Sequence, residues 1–255
     1  MNILVILKQT FDTEEKISIQ DGRIQEDGVE FIINPYDEFA VEEAIKIRDE
    51  FHGEVTAITV GPSRTENALR TALAMGADKA IIVDDESLFG DEYMISKVLA
   101  AVIKDRSYDV ILAGNISVDN GAGQVALRLA EELGIAHVAS ATKLTIESEN
   151  VTVVRDVEGD SETVEASLPL LVTAQQGLNE PRYPSLPGIM KAKKKPLERL
   201  TAEDIGVKAE DIQAKTEILD QYLPPKKEGG KVLSGELVDQ VKELIQLLRQ
   251  EAKVI

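Results

Sequence analysis

Between Asn115 and Leu127 the chain reads NISVDNGAGQVAL, a polar stretch whose backbone could hold a phosphate. Gly121 and Gly123 carry no Cβ, so an anion can approach the main chain closely there. Val125, Leu129 and Leu133 follow at i, i+4 and i+8 with Ala126 beside them, the pattern of an amphipathic helix starting where the loop ends. A helix start offers unpaired N–H groups and the positive end of a dipole, which is the chemistry of anion binding. Asp119 or Asn120 suits the capping position. An ordinary strand-to-helix turn has the same composition, so glycine content by itself leaves both readings open.

The same stretch contains a decoy. Gly121-Ala122-Gly123-Gln124-Val125-Ala126 matches GxGxx(G/A), the dinucleotide fingerprint. That fingerprint sets its first glycine at the end of a strand, whereas Asn115 to Asn120 intervene here. The position roughly twenty residues on, which should be acidic to hold a ribose, falls around Lys143. A nicotinamide site is therefore excluded. Other chemistry is sparse. The chain has no cysteine, which removes thiolate nucleophiles, disulfides and zinc–thiolate sites. His52 and His137 are far apart and lack ligand-spaced neighbours, so no metal is expected. There is no GxxxxGK(S/T) and no nucleophile–base–acid constellation, so no catalytic residue is assigned.

The elements that would position the loop follow from hydrophobic pattern. Val110 to Ala113 is a short apolar run ending at Gly114, and Asn2 to Leu7 is another, closed by Lys8. Neither alternates, as expected of strands buried on both faces. Glu54 to Val60, ending at Gly61-Pro62, and Ala80 to Val83 are further strands. Ile17 to Ile24 reads as a hairpin turned at Asp21-Gly22. Asn34 suits an N-cap and Pro35 the first helical position, before a helix with Ala40, Ala44, Ile47 and Phe51 inward and Glu42, Glu43 and Lys46 outward. Helices are also expected over Thr65–Met75 and Tyr93–Ile103. Strands alternating with helices predict a doubly wound, mainly parallel sheet, whose ligands bind at the carboxyl ends of the strands. The ends on offer are Lys8-Gln9, Val60-Gly61 and Gly114-Asn115.

After Ala136 the pattern changes to antiparallel strands over Lys143–Ile146, Val151–Val154 and Thr163–Glu165, turned at Glu149-Asn150 and Gly159-Asp160, and then one more buried strand at Leu168–Val172. From Asn179, NEPRYPSLPGIMKAKKKPLERL holds four prolines and is expected to be irregular. Leu186, Ile189 and Met190 beside Lys191, Lys193, Lys194 and Lys195 favour a protein-docking segment. Pro224-Pro225 and Gly229-Gly230 mark a linker. Ser234 then suits the cap of a last helix with Leu237, Val241, Leu244 and Leu248 on one face, a stripe expected to pack on a partner subunit.

A chain of 255 residues with 43% hydrophobic and 29% charged residues can bury a large core. Its formal net charge of -18 argues against nucleic acid as a partner. MNILVILKQT lacks a basic n-region and a cleavage site, and no apolar run is long enough to span a bilayer. The cytoplasm is the expected compartment, with no direct membrane insertion.

LVILKQTFD, NPYDEFAVEEAI, LRTALAMGADKA, the 114–127 loop, VVRDVEGDSETVEASLPLLVT and above all NEPRYPSLPGIMKAKKKPL carry a resemblance over essentially the full length. The chain resembles the β-subunit of an electron-transfer flavoprotein. The resemblance implies an adenine nucleotide α-hydrolase-like α/β fold with an antiparallel hairpin addition and an extended C-terminal arm ending in a helix. It divides the chain into a nucleotide-binding domain (1–178), a partner-recognition segment (179–200) and an arm on the α-subunit (201–255). It implies an electron carrier and not an enzyme, with FAD shared with the α-subunit and AMP held by this chain. Partners would be that α-subunit, acyl-CoA dehydrogenases, and a membrane quinone reductase as acceptor.

By position, the resemblance assigns nucleotide contacts to Ile6, Asn34, Pro35, Tyr36, Asp37, Val60, Asp119, Asn120, Gly121, Ala122, Gly123, Gln124, Val125, Ala126 and Leu127. Leu186, Pro187, Ile189, Met190 and Lys191 would dock the dehydrogenase. Phe11 and Thr13 are left as flavin-facing candidates. The chain departs from the family at Asn115 and Ile116, where a basic residue and a glutamine are frequent, and at Ala126, where many members have glycine. Ala122 stands where electron-bifurcating members resemble one another in a threonine, which favours AMP over a second FAD. The other readings are a bifurcating flavoprotein with that second FAD and a stand-alone nucleotide-binding module.

Overall fold

The computed structural model describes residues 1–227 and 229–255. Its framework is an α/β architecture around a nine-stranded, mostly parallel sheet. In chain order, β1 (Asn2–Ile6) is followed by the short strands β2 (Gln9–Phe11), β3 (Ile19–Gln20), β4 (Arg23–Ile24) and β5 (Phe31–Ile33), then by α1 (Pro35–Phe51). The units β6 (Glu54–Val60), α2 (Glu66–Met75), β7 (Lys79–Val83), α3 (Glu92–Ile103), β8 (Val110–Gly114) and α4 (Val125–Leu133) come next. An antiparallel addition, β9 (Ala136–Glu147), β10 (Asn150–Val157) and β11 (Asp160–Ser167), precedes β12 (Leu170–Ala174). The chain closes with α5 (Leu186–Ala192), β13 (Leu197–Leu200) and α6 (Leu237–Gln250).

The sheet order is β11-β10-β9-β12-β8-β1-β6-β7-β13. After β1 the chain adds β6 and β7 on one side, then returns to place β8 on the other. The order thus reverses between β1 and β8, the place where an open parallel sheet leaves a crevice for ligands. Along β1, Ile3 and Val5 pack under α1 and α2, while Leu4 and Ile6 pack under α3 and α4. Both faces are therefore covered, and the continuous apolar run is explained.

Three local expectations are corrected. Glu42 and Glu43 are buried and do not point outward. Arg182 donates to Glu42 Oε2 at 2.7 Å and to Oε1 at 2.8 Å, and Asn179 Nδ2 donates to Glu43 at 2.9 Å. Burial would raise the Glu42 pKa, but the bonds from Arg182 outweigh it and hold the carboxyl below its ordinary value. The proline-rich segment is not irregular throughout: Ser185 caps α5 by accepting from Gly188 N at 3.1 Å, and Pro187 falls in the first turn, where its missing N–H costs nothing. The same segment also supplies β13, which pairs in parallel with β7 at the sheet edge. Finally, Ser234 does not cap the last helix, which begins at Leu237 with Glu236 in the capping position.

Candidate functional site

A cavity of about 320 Å³ opens at the β1/β8 reversal. Its floor is made by the carboxyl ends of three strands: Ile6 to Lys8, Val60 to Pro62, and Ala113 to Asn115. The starts of the neighbouring helices α3 and α4 form two of its lips, through Gly90 to Glu92 and Gly123 to Ala126. Ile95 and Leu99 of α3 add apolar wall.

Asp37 holds the floor together. It lies in the first turn of α1, where a negative charge is favoured by the helix dipole. Its Oδ2 accepts from Lys8 N at 2.6 Å and its Oδ1 from Gly114 N at 2.9 Å, tying the ends of β1 and β8 to one carboxylate. A Cβ on residue 114 would stand 2.3 Å from Asp37 Oδ1, so only glycine fits there. Burial pushes the Asp37 pKa up to about 7, with the two backbone bonds and the Lys8 charge opposing.

Asn34 occupies the N-cap position of α1, yet its side chain makes no cap bond. It reaches across instead, donating to Ile116 O at 2.9 Å and accepting from Val118 N at 3.1 Å. Both halves of the amide are spent on clamping the loop after β8. Asn115 anchors the same loop from the other side, accepting from Thr173 at 2.9 Å and Ser140 at 3.1 Å.

Neither Asp119 nor Asn120 caps α4, a correction to the expected start of that helix; Gln124 holds the position without a side-chain cap bond. Asn120 instead folds the loop on itself, accepting from Ser117 Oγ at 2.9 Å and Ala122 N at 3.1 Å. Asp119 pairs with Lys8, Nζ to Oδ2 at 2.7 Å. With no side chain capping α4, the N–H groups of Gly123 to Ala126 meet no acceptor among the described residues. Gly123 takes a positive φ of 61°, which turns the chain into the helix.

The structure brings Ile6, Asn34, Asp37, Val60, Asn120 and Ala122 to Ala126 around this cavity. Pro35, Tyr36, Gly121 and Leu127 lie outside its lining, and Asp119 faces a second, smaller cavity next to it. Phe11 borders that second cavity, its ring 5.0 Å from that of Phe31, while Thr13 is exposed in the following turn. Sequence reasoning named Lys8 only as a strand end and passed over the α3 lip. The lip had a legible signal, Asp91 just before a helical run. Asp91 caps α3 through Met94 N at 3.0 Å. It also accepts from Lys215 N at 2.7 Å and Thr216 N at 2.9 Å, fastening the C-terminal arm to the cavity rim.

The arrangement can hold an anion at the α4 start, beside one lysine, with apolar wall for a planar group. Among the described residues no cluster could hold a metal ion, and no helix is long and apolar enough to cross a membrane. The docking candidates Leu186, Ile189, Met190 and Lys191 stand exposed on α5, with Pro187 in its first turn, away from the cavity.

Residues 21–205 match the family model described as Electron transfer flavoprotein domain. The chain is 56% identical to the Electron transfer flavoprotein subunit beta of Bacillus subtilis (strain 168), over 100% of both chains. It is 37% identical to the mitochondrial Electron transfer flavoprotein subunit beta of Arabidopsis thaliana, again over 100% of both. It is 38% identical to the Caffeyl-CoA reductase-Etf complex subunit CarD of Acetobacterium woodii, over 94% of this chain and 95% of that one.

Proposed function

Since the chain belongs to the electron transfer flavoprotein family as a β-subunit, an electron carrier and not an enzyme, we propose that it pairs with an α-subunit, helps hold FAD, and keeps AMP in its own cavity. The observation that carries the nucleotide reading is the α4 start, where free N–H groups and Lys8 border an apolar-walled cavity. At about 320 Å³ the cavity lies at the small end of the roughly 300–1,000 Å³ of ligand pockets, which suits a mononucleotide better than FAD. Gly123 to Ala126 would hold the phosphate, and Ile6, Val60 and Ile95 would sandwich the base. The shared FAD, when bound, supplies the redox chemistry. This chain's part is to shape the edge of that site from the β2–β5 corner, where Phe11 packs at a tilt against Phe31 and Arg64 lies 3.8 Å over the Phe31 ring.

The exposed apolar side chains of α5 would dock acyl-CoA dehydrogenases, and electrons would pass on to a membrane quinone reductase from the cytoplasm. The exposed stripe of α6 would pack on the α-subunit. The test is to purify the heterodimer, release its nucleotides and count them. One FAD and one AMP per heterodimer are expected; two FAD would establish the bifurcating alternative, and no adenine mononucleotide would refute the cavity's assignment.

A further inference from the structure

Helix α1 buries two adjacent carboxylates, Glu42 and Glu43, and both accept bonds from the segment that runs into α5. Taking a carboxylate out of water is costly unless it is fully paired. Asn179 spends both hydrogens of its side-chain amide on α1, donating to Phe39 O and to Glu43 Oε2 at 2.9 Å each. Three residues on, Arg182 closes a planar fork on Glu42, Nε to Oε2 at 2.7 Å and Nη2 to Oε1 at 2.8 Å. Its main-chain N–H donates to the same Oε2 at 3.2 Å. The segment is thus gripped at two points, with Pro181 between them and Pro184 beyond, each fixing φ. Ser185 is held by its cap bond from Gly188 N, so little slack separates Arg182 from Leu186. The bonds that Arg70 and Lys195 make to and from residues 192–195 hold the opposite end of α5.

We propose that Glu42 is a positioning residue for partner docking: through Arg182 it sets where Leu186 stands at the start of α5. This rests on the docking reading of α5. Leu186 is 79% exposed, so its place is inherited from the chain on either side of it and not from contacts of its own. An anchor that is already ordered loses less freedom on binding, and a held segment therefore gains affinity without any further contact to the partner. The fork matters because two parallel bonds fix direction as well as distance, which a lysine ammonium in the same place does not. Neither Glu42 nor Arg182 lines the cavity between β1 and β8, so the grip can be altered apart from that site.

The test uses the intact heterodimer as electron acceptor for an acyl-CoA dehydrogenase, with Glu42→Gln, Leu186→Ala and the double variant compared with wild type. Glu42→Gln keeps the side chain's shape and removes the charge that closes the fork. It is expected to raise KM for the heterodimer about two- to tenfold, the cost of ordering one more side chain on binding. The maximal rate and the flavin spectrum are expected to stay as in wild type. In the Leu186→Ala background the same substitution is expected to add nothing, because the anchor it positions is gone. If Glu42→Gln does not assemble, Arg182→Lys carries the same comparison. An unchanged KM, an equal rise with and without Leu186, or a fall in maximal rate overturns the proposal. Wild-type transfer by Leu186→Ala alone fails the docking reading itself, and that single variant tells the two failures apart.

Discussion

Asp37 ties the ends of β1 and β8 together with a carboxylate whose ordinary pKa of 3.8 is pushed up to about 7 by burial. The sign of the resulting pH dependence follows. Above pH 7 the folded protein carries a buried charge that the unfolded chain keeps in water, which costs stability. As pH falls from 8 toward 5 the folded state takes up a proton that the unfolded state does not bind, so stability rises, by up to about 1.4 kcal/mol per pH unit. Thermal melts of wild type between pH 8 and 5.5 are expected to show this rise, and Asp37→Asn to lose it. Melting points that fall with pH in wild type, or equal slopes in both proteins, would contradict the linkage. The sequence marks Asp37 as a first-turn acid, but its partners are the main chains of Lys8 and Gly114, distant in sequence and brought in by sheet pairing. Asn34 teaches the same point. Its position at the start of α1 was legible, yet its amide serves the loop at 116–118.

Among the elements, β1, β6 and β8 were readable because buried parallel strands are continuous apolar runs bounded by glycine, proline or lysine. The α5 helix was not, because four prolines in the segment outweighed one serine cap. What secures α5 is long-range: Arg70 donates to Ala192 O at 2.8 Å, and Lys195 Nζ donates to Leu73 O and Ala77 O at the end of α2, satisfying carbonyls the helix leaves open. Leu186 and Met190 remain 79% and 73% exposed on the outer side. Full burial of a leucine is worth roughly 1.5–3 kcal/mol, so Leu186→Ala is expected to weaken apparent affinity for an acyl-CoA dehydrogenase about ten- to a hundredfold. Gly188 sits against α2, and a Cβ there would lie 2.5 Å from Ala74 O. Gly188→Ala is thus expected to shift α5 and impair docking with the apolar side chains intact. Steady-state electron transfer and the flavin spectrum read both variants; wild-type transfer at low concentration, or loss of flavin, would remove α5 from the docking role.

At the scale of the whole molecule, the chain continues well past the last strand of its sheet. Leu237, Val241 and Leu244 are exposed along α6, and the helix has a complete apolar stripe. Deleting residues 234–255 is expected to weaken pairing with the α-subunit while AMP binding by the assembled protein persists; unchanged subunit affinity would show that α6 packs elsewhere. The existence of this helix was plain from its period, whereas the path of the arm leading to it was not, since it is held by scattered backbone bonds and not by a repeating pattern. Two of those bonds run to Asp91, the same carboxylate that caps α3 at the lip of the cavity between β1 and β8. One side chain thus serves both segments. Drawing the arm away from residues 215–216 would free two bonds of the carboxylate that caps α3, and a ligand that steadied that cap would steady the arm. In a closed thermodynamic cycle such coupling would be reciprocal: a ligand held at that cap would change the dissociation constant of the subunits by the same factor by which the subunits change that of the ligand.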